Sequence, residues 1–205
     1  MKDHREDSRR KFDKMASDYE SSSYGSFSRS LYNKVTLKAG IFKHDFILDL
    51  GCGNGILLKK LKFYGAKLCG ADISAEMIRY AQERLGDNAE LKVTDSENLP
   101  WEDNYFDTIV CTLSFHHFPN PEKSLNEIRR VLKSKGRLII GELAFPGLIR
   151  ILRNCYLRSW FNKSGDVKIY SKNNWIKMLG NAGFKEIEIE KTGSFTALIT
   201  ALINK

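Results

Sequence analysis

The apolar run FILDL at residues 46–50 is followed at once by the glycine loop GCGNG at 51–55. No other feature constrains the fold as strongly. A nearly continuous apolar run suits a strand covered on both faces. The glycines allow a tight turn and let a ligand approach the main chain. A helix predicted over Asn54–Tyr64 and ended by Gly65 would offer its free N–H groups at the same place. Strand, glycine turn and helix in that order put a ligand crevice at the carboxyl end of the strand.

The rest of the chain repeats the alternation. Lys67–Ala71 reads as a second strand, and Ser74 as the N-cap of a helix with Met77, Ile78, Ala81 and Leu85 on one face. Glu90–Thr94 and Phe106–Thr112 are the third and fourth strands. Asn120 caps a helix with Pro121 at its first position and Leu125, Ile128 and Leu132 inward. Arg137–Glu142 is the fifth strand. Strands alternating with helices predict a parallel α/β sheet. Near the end, Ser171–Ala182 is helical, with Trp175, Ile176 and Leu179 inward. FKEIEIE (184–190) and SFTALITALI (194–203) follow too closely for a crossover, so they form an antiparallel pair. Upstream, Phe12, Met15 and Tyr19 fall at helical spacing, SSSYGSFSRS (21–30) reads as a flexible connection, and a second helix runs to about Gly40.

The chemistry of the loop narrows the ligand. A dinucleotide fingerprint would be G-x-G-x-x-G, but here glycines stand at 51, 53 and 55 and Ile56 takes the sixth place. No G-K-[ST] follows, which excludes a triphosphate-binding loop. Asp49 precedes the first glycine. Its carboxylate would repel a pyrophosphate and suits an ammonium or sulfonium. The alternative is a purely structural turn. Asp72, closing the second strand, can accept two hydrogen bonds from ribose hydroxyls, or serve only as an acid at a helix start. Asp95 and Ser96, closing the third strand, can read an adenine amino group and ring, or make a plain turn.

Together these stretches resemble the class I S-adenosylmethionine-dependent methyltransferases, more narrowly the branch containing the ubiquinone/menaquinone-biosynthesis enzymes. The matching segments are KFDKMASDYE (11–20), ILDLGCGNG (47–55), GADIS (70–74), VTDSENLPWEDNYFDTIVC (93–111), LSFHHFPNPEKSLNEIRRVLKSKGRLII (113–140) and NAGF (181–184). The resemblance implies a doubly wound, mostly parallel seven-stranded sheet with an antiparallel last strand, the Rossmann-like methyltransferase fold. It implies S-adenosylmethionine as cofactor. Asp49 and the loop Gly51, Cys52, Gly53, Asn54 and Gly55 would meet its methionine part, Asp72 its ribose, and Asp95 with Ser96 its adenine. Leu113 would line the methionine pocket, and Ile73 and Met77 would pack on the nucleoside. Tyr19 matches an aromatic that closes over the cofactor, or is a core residue. Ser134-Lys135-Gly136 departs from relatives that often carry a proline before the glycine, which affects a turn and not the site. His116 and His117, just past the fourth strand, are candidate general bases or scaffold. No metal site is read from the sequence. The non-catalytic alternative is a cofactor-binding scaffold of the same fold.

The implied organisation is an N-terminal helical cover (1–45), a cofactor-binding core (46–144), a variable insertion (145–170) and a closing helix with its hairpin (171–205). The acceptor is a small molecule. The composition, 42% hydrophobic and 28% charged, is that of a folded globular chain. The start is charged and lacks the apolar core of a secretory signal, and no apolar run is long enough to span a bilayer. Cys52, Cys69, Cys111 and Cys155 form no C-x-x-C pair, so they are expected as free thiols in a reducing cytoplasm.

The formal net charge of +8 is not spread evenly. Arg129–Lys172 holds eleven Lys/Arg and two acids, a net of +9, and the rest of the chain nets −1. Within it, Leu148, Ile151, Leu152, Cys155, Tyr156 and Trp160 recur at helical spacing among Arg150, Arg153, Arg158 and Lys163. Such a basic amphipathic helix is expected as a lid over the acceptor pocket, meeting a lipophilic or an anionic substrate, or as a peripheral membrane contact. The alternative is a helix packed on the sheet. Nucleic acid is disfavoured, because no aromatic–basic interleaving of a known module is present.

Overall fold

The computed structural model describes residues 3–159, 161–162 and 164–204. The expectations placed on Trp160 and Lys163 lie outside the described residues. Two helices, α1 (His4–Met15) and α2 (Ser23–Ala39), precede the sheet. Then come β1 (Phe46–Leu50), α3 (Ile56–Leu61), β2 (Lys67–Asp72), α4 (Ala75–Leu85), β3 (Ala89–Val93), β4 (Phe106–Thr112), α5 (Pro121–Val131) and β5 (Leu132–Leu143). The chain closes with α6 (Gly147–Leu157), α7 (Lys172–Asn181), β6 (Phe184–Lys191) and β7 (Thr196–Ile203).

The seven strands lie in the order β3-β2-β1-β4-β5-β7-β6. All neighbours through β5 are parallel, and β7 inserts antiparallel between β5 and β6. The sheet is therefore doubly wound with an antiparallel last strand. Alternate strand residues feed two cores. Ile47, Val110 and Ile139 pack with Leu31, Val35, Leu57 and Leu61 of α2 and α3. Leu48, Ile109 and Ile140 pack with Leu125 and Ile128 of α5 and Trp175 and Leu179 of α7. Alternation into two cores is the period-two geometry of a strand buried on both sides.

Several local expectations are corrected. The serine run 21–30 is not a loop: α2 begins at Ser23. Ser22 caps it by accepting from Gly25 N at 3.1 Å, and Ser28 and Ser30 donate back to Tyr24 O and Phe27 O. Those back-bonds let serine sit inside a helix. Tyr19 does not continue the stripe of Phe12 and Met15, because α1 stops at Met15 and Tyr19 lies in the turn that follows. Ile176 is 43% exposed, since Trp175 and Leu179, four apart, define the buried face of α7. β5 starts five residues early. Leu132 pairs with Phe106, then the chain bulges before Arg137 pairs with Thr108, with Lys135 at φ 62° in between. Gly65 ends a short 3₁₀ turn that follows α3.

Candidate functional site

Between β1 and β4 the strand order reverses direction, the place where open α/β sheets bind ligands. A cavity opens there. The ends of β1 to β4 form its floor, and Arg5, Ser8 and Phe12 of α1, Tyr19 and Tyr32 cover it.

The glycine loop is anchored to the neighbouring strand: Gly51 N and Cys52 N both donate to Ala71 O, at 2.7 and 3.0 Å. Gly51 has φ +75°, and a Cβ there would lie 2.3 Å from Ser114 Oγ. Gly53, at φ +52°, meets only Met77 Sδ, at 3.9 Å, on the side where a Cβ would point. Its missing side chain leaves the space free. Asp72 is held by two backbone donors: Gly53 N at 2.8 Å on one oxygen, Ser74 N at 2.9 Å on the other. Each oxygen keeps a lone pair for a further donor. Asp49 is 2% exposed, and burial, aided by the nearby Asp72, pushes its carboxyl up to about 8. Burial also raises Asp72, against the pull of its backbone donors.

Asp95 and Ser96 line the cavity, but both already have partners. Arg5 Nε approaches Asp95 at 3.4 Å and its Nη2 reaches Glu97 at 2.6 Å. Ser96 Oγ pairs with Ser124 Oγ at 2.8 Å. Leu113 holds φ 52°, an uncommon backbone state for a branched residue, and its N–H donates to Gly141 O at 2.8 Å. Such strain is held by surrounding structure and clusters at functional sites. Tyr19 OH pairs with Ser28 Oγ at 3.0 Å, which fixes the ring at the cavity wall.

The two histidines separate. His117 lines the cavity, edge-on to Phe12 at 5.1 Å. Burial first, then His116 and Lys11, hold it well below the usual histidine range. Asp166 Oδ1 stands 3.3 Å from its Nδ1, and the lowering favours the neutral ring. His116 lies behind it and does not line the cavity. Its Nδ1 contacts both oxygens of Glu142 at 2.9 Å, and its N–H donates to Glu142 Oε1 at 3.1 Å. Burial works against its charged form, yet the Glu142 carboxylate leaves its pKa raised. His116, His117 and Asp166 offer three ligand atoms within 4.8 Å of one another. Glu142 engages His116 and Lys11 Nζ stands 3.8 Å from Asp166, so the cluster is charge-balanced by the protein itself.

Asp49, Gly51, Cys52, Gly53, Asp72, Ile73, Met77, Asp95, Ser96, Leu113, Tyr19 and His117 thus surround one cavity. Asn54, Gly55 and His116 do not. Asn54 turns its carbonyl to Arg84 Nε at 2.9 Å, and a Cβ at Gly55 would press on Ala81 and Leu85 of α4. Both serve the packing of the helices behind the loop. No α6 residue lines the cavity, whereas Arg5, Ser8 and Phe12 of α1 and Tyr19 do. Sequence reasoning missed Arg5, Ser8, Tyr32, Ser114 and Phe118. Only the fold brings these scattered positions together.

Residues 48–140 match the family described as methyltransferase domain. The chain is 40% identical over 119 residues to a demethylmenaquinone methyltransferase of Thermotoga maritima, covering 56% of this chain and 52% of that one. It is 30% identical over 120 residues to a sterol 4-C-methyltransferase of Caenorhabditis elegans, covering 56% and 36%. The likeness to this methyltransferase family thus spans 93 residues, a little under half of the chain. The crystal structure of an S-adenosylmethionine-dependent methyltransferase from Aquifex aeolicus superposes with TM-score 0.68 at 24% identity, covering 84% of this chain and 89% of that one, which shows the shared fold. The match spans about half the length of the curated relatives or less. The crevice above β1 is where the resemblance would seat S-adenosylmethionine, and the residues present fit that group. The open side of Gly53 leaves a cradle, and the buried Asp49 carboxyl suits a cation.

Proposed function

We propose that the chain transfers a methyl group from S-adenosylmethionine to a small-molecule acceptor. One observation carries this reading: a single cavity joins the Gly53 cradle, Asp49, Asp72, Asp95 and the imidazole of His117. When bound, the cofactor supplies a methyl group on a positively charged sulfur. The chain's own part is to bind, orient and exclude water. Asp72 accepts from ribose hydroxyls, Asp95 from an exocyclic amine, and Asp49 balances the sulfonium charge. Residues 1–45 act as the cover, through Phe12, Tyr19 and Tyr32. Positioning of a bound pair in this way supplies roughly 7–11 kcal/mol in well-oriented reactions.

His117 accepts the acceptor's proton where one must leave, and Glu142 and His116 position it from behind. A buried, neutral imidazole is in the form needed to take a proton. The acceptor is lipophilic: the cavity wall is rich in Phe12, Tyr19, Tyr32, Leu113 and Phe118. The relatives named for demethylmenaquinone and sterol methylation point the same way.

Calorimetry with S-adenosylmethionine, followed by transfer of labelled methyl to a panel of quinols, sterols and small acids, tests both halves. Binding and labelling of an apolar acceptor are expected, with labelling reduced about a hundredfold in His117→Ala. Absence of cofactor binding would overturn the reading. Binding without transfer to any acceptor would leave a cofactor-binding scaffold.

A further inference from the structure

α6 is amphipathic in the wrong sense for a globular surface. Successive helical positions turn by about 100°, so Leu148, Ile149, Ile151, Leu152, Cys155 and Tyr156 occupy one continuous arc of roughly 160°. That arc faces solvent: Leu148 is 72% exposed, Leu152 62% and Tyr156 58%. The side turned to the protein holds Arg150, Asn154 and the buried Leu157. Asn154 moors the helix with two hydrogen bonds to the Ile169 backbone, each 2.9 Å. Phe161, 81% exposed, extends the apolar surface past the helix end. An exposed apolar patch of this kind on a charged chain marks an interaction surface.

Charge selects the partner. Residues 147–159 contain three arginines and no acid. Among the described residues, none of Arg150, Arg153 or Arg158 has an acidic group in ion-pair contact. Arg153 lies over the Phe145 ring at 4.8 Å, on the rim of the arc. A second copy of this surface would set arginine against arginine. An apolar helix face rimmed by arginines fits a bilayer surface bearing anionic headgroups. No described helix is long and apolar enough to cross a membrane. The contact would therefore lie in the interface plane.

We infer that α6 is a membrane-docking helix. It lays Leu148, Ile151, Leu152 and Tyr156 into an anionic lipid surface, with Arg153 and Arg158 on the headgroups. The segment after it reaches the cavity cover, where Gly165 O accepts from Ser8 Oγ at 3.3 Å. Docking at α6 therefore brings the cavity to the bilayer. The inference does not depend on the chemistry assigned to the cavity.

Vesicle co-sedimentation of the full chain without cofactor tests it, using phosphatidylcholine vesicles with and without phosphatidylglycerol at low and high salt. Pelleting with the anionic vesicles at low salt is expected, falling with salt. Leu148→Ser/Leu152→Ser and Arg153→Glu/Arg158→Glu should each lower the partition coefficient roughly tenfold or more. All four side chains are exposed, so both variants should keep the wild-type melting temperature, which circular dichroism checks. Wild-type protein left in the supernatant, or variants that pellet equally well, would overturn the inference. Light scattering that shows a dimer broken by Leu148→Ser/Leu152→Ser, with no vesicle binding, would overturn it in favour of a second copy.

Discussion

The three glycines of the loop do three different jobs. Gly51 makes room for Ser114, Gly53 leaves the cavity open and Gly55 admits α4. Gly51→Ala forces a Cβ to within 2.4 Å of two Ser114 atoms, so it should lower the melting temperature. Gly53→Ala meets no close neighbour. It should fold with a loss of about 1 kcal/mol from its left-handed backbone, yet bind cofactor at least tenfold more weakly. Thermal melts and calorimetry on the two variants separate these roles, and equal cofactor affinity in Gly53→Ala would remove it from the site. Asp49 makes a second residue-scale prediction. Its folded pKa of about 8 lies above the value near 4 of an unfolded aspartate. The fold therefore favours the protonated form. The stability this contributes is fully present below about pH 4 and lost as pH rises towards 8. Asp49→Asn should remove that decline, so the variant melts higher than wild type at pH 8. A cation in the site favours the ionised form, so cofactor affinity in wild type should rise with pH across that window. In Asp49→Asn it should be weak and flat. Calorimetry at several pH values gives the answer.

At the scale of elements, α1 is attached to the body by side chains and not by a broad apolar face. Ser74 Oγ donates to Asp13 Oδ1 at 2.6 Å, Arg5 reaches Asp95 and Glu97, and Ser8 Oγ donates to Gly165 O. Its one buried residue is Ser8. A helix moored this way opens at lower cost than one in the core. Asp13→Ala removes a hydrogen bond to a charged group, about 1–2 kcal/mol. Amide exchange in α1 should speed up roughly five- to thirtyfold, with β1 and β4 unchanged. Exchange followed by mass spectrometry reads this, and uniform acceleration would show that α1 belongs to the global unit. The strands and the α4, α5 and α7 helices were legible because each carries its own signal: an apolar run, a capping Ser74, Asn120 or Ser171, or buried positions three and four apart. α6 carried the same periodicity, and its apolar face turned outward. Period alone says that a helix has two faces, not which one meets the protein.

For the whole molecule, a ligand bound only by the folded state stabilises it by mass action. At a hundredfold excess over Kd this is about 2.7 kcal/mol. For a chain of this length that is a rise in melting temperature of roughly 5–10 °C, measurable by thermal shift with S-adenosylmethionine. No shift would contradict the cofactor reading. The sequence alone determined the strand–helix alternation, the seven-stranded sheet with its closing hairpin, and the floor of the cavity. Those features depend on neighbours along the chain: apolar runs, caps, glycines and acids at strand ends. Tertiary structure alone decided the rest. It put Arg5 on Asp95 and Ser114 against Gly51, and it set His117 at the cavity with His116 on Glu142 behind it. It also turned the apolar arc of α6 to solvent. Each of these joins residues from distant parts of the chain or depends on how a helix is rotated on the body, and local pattern carries no information about either.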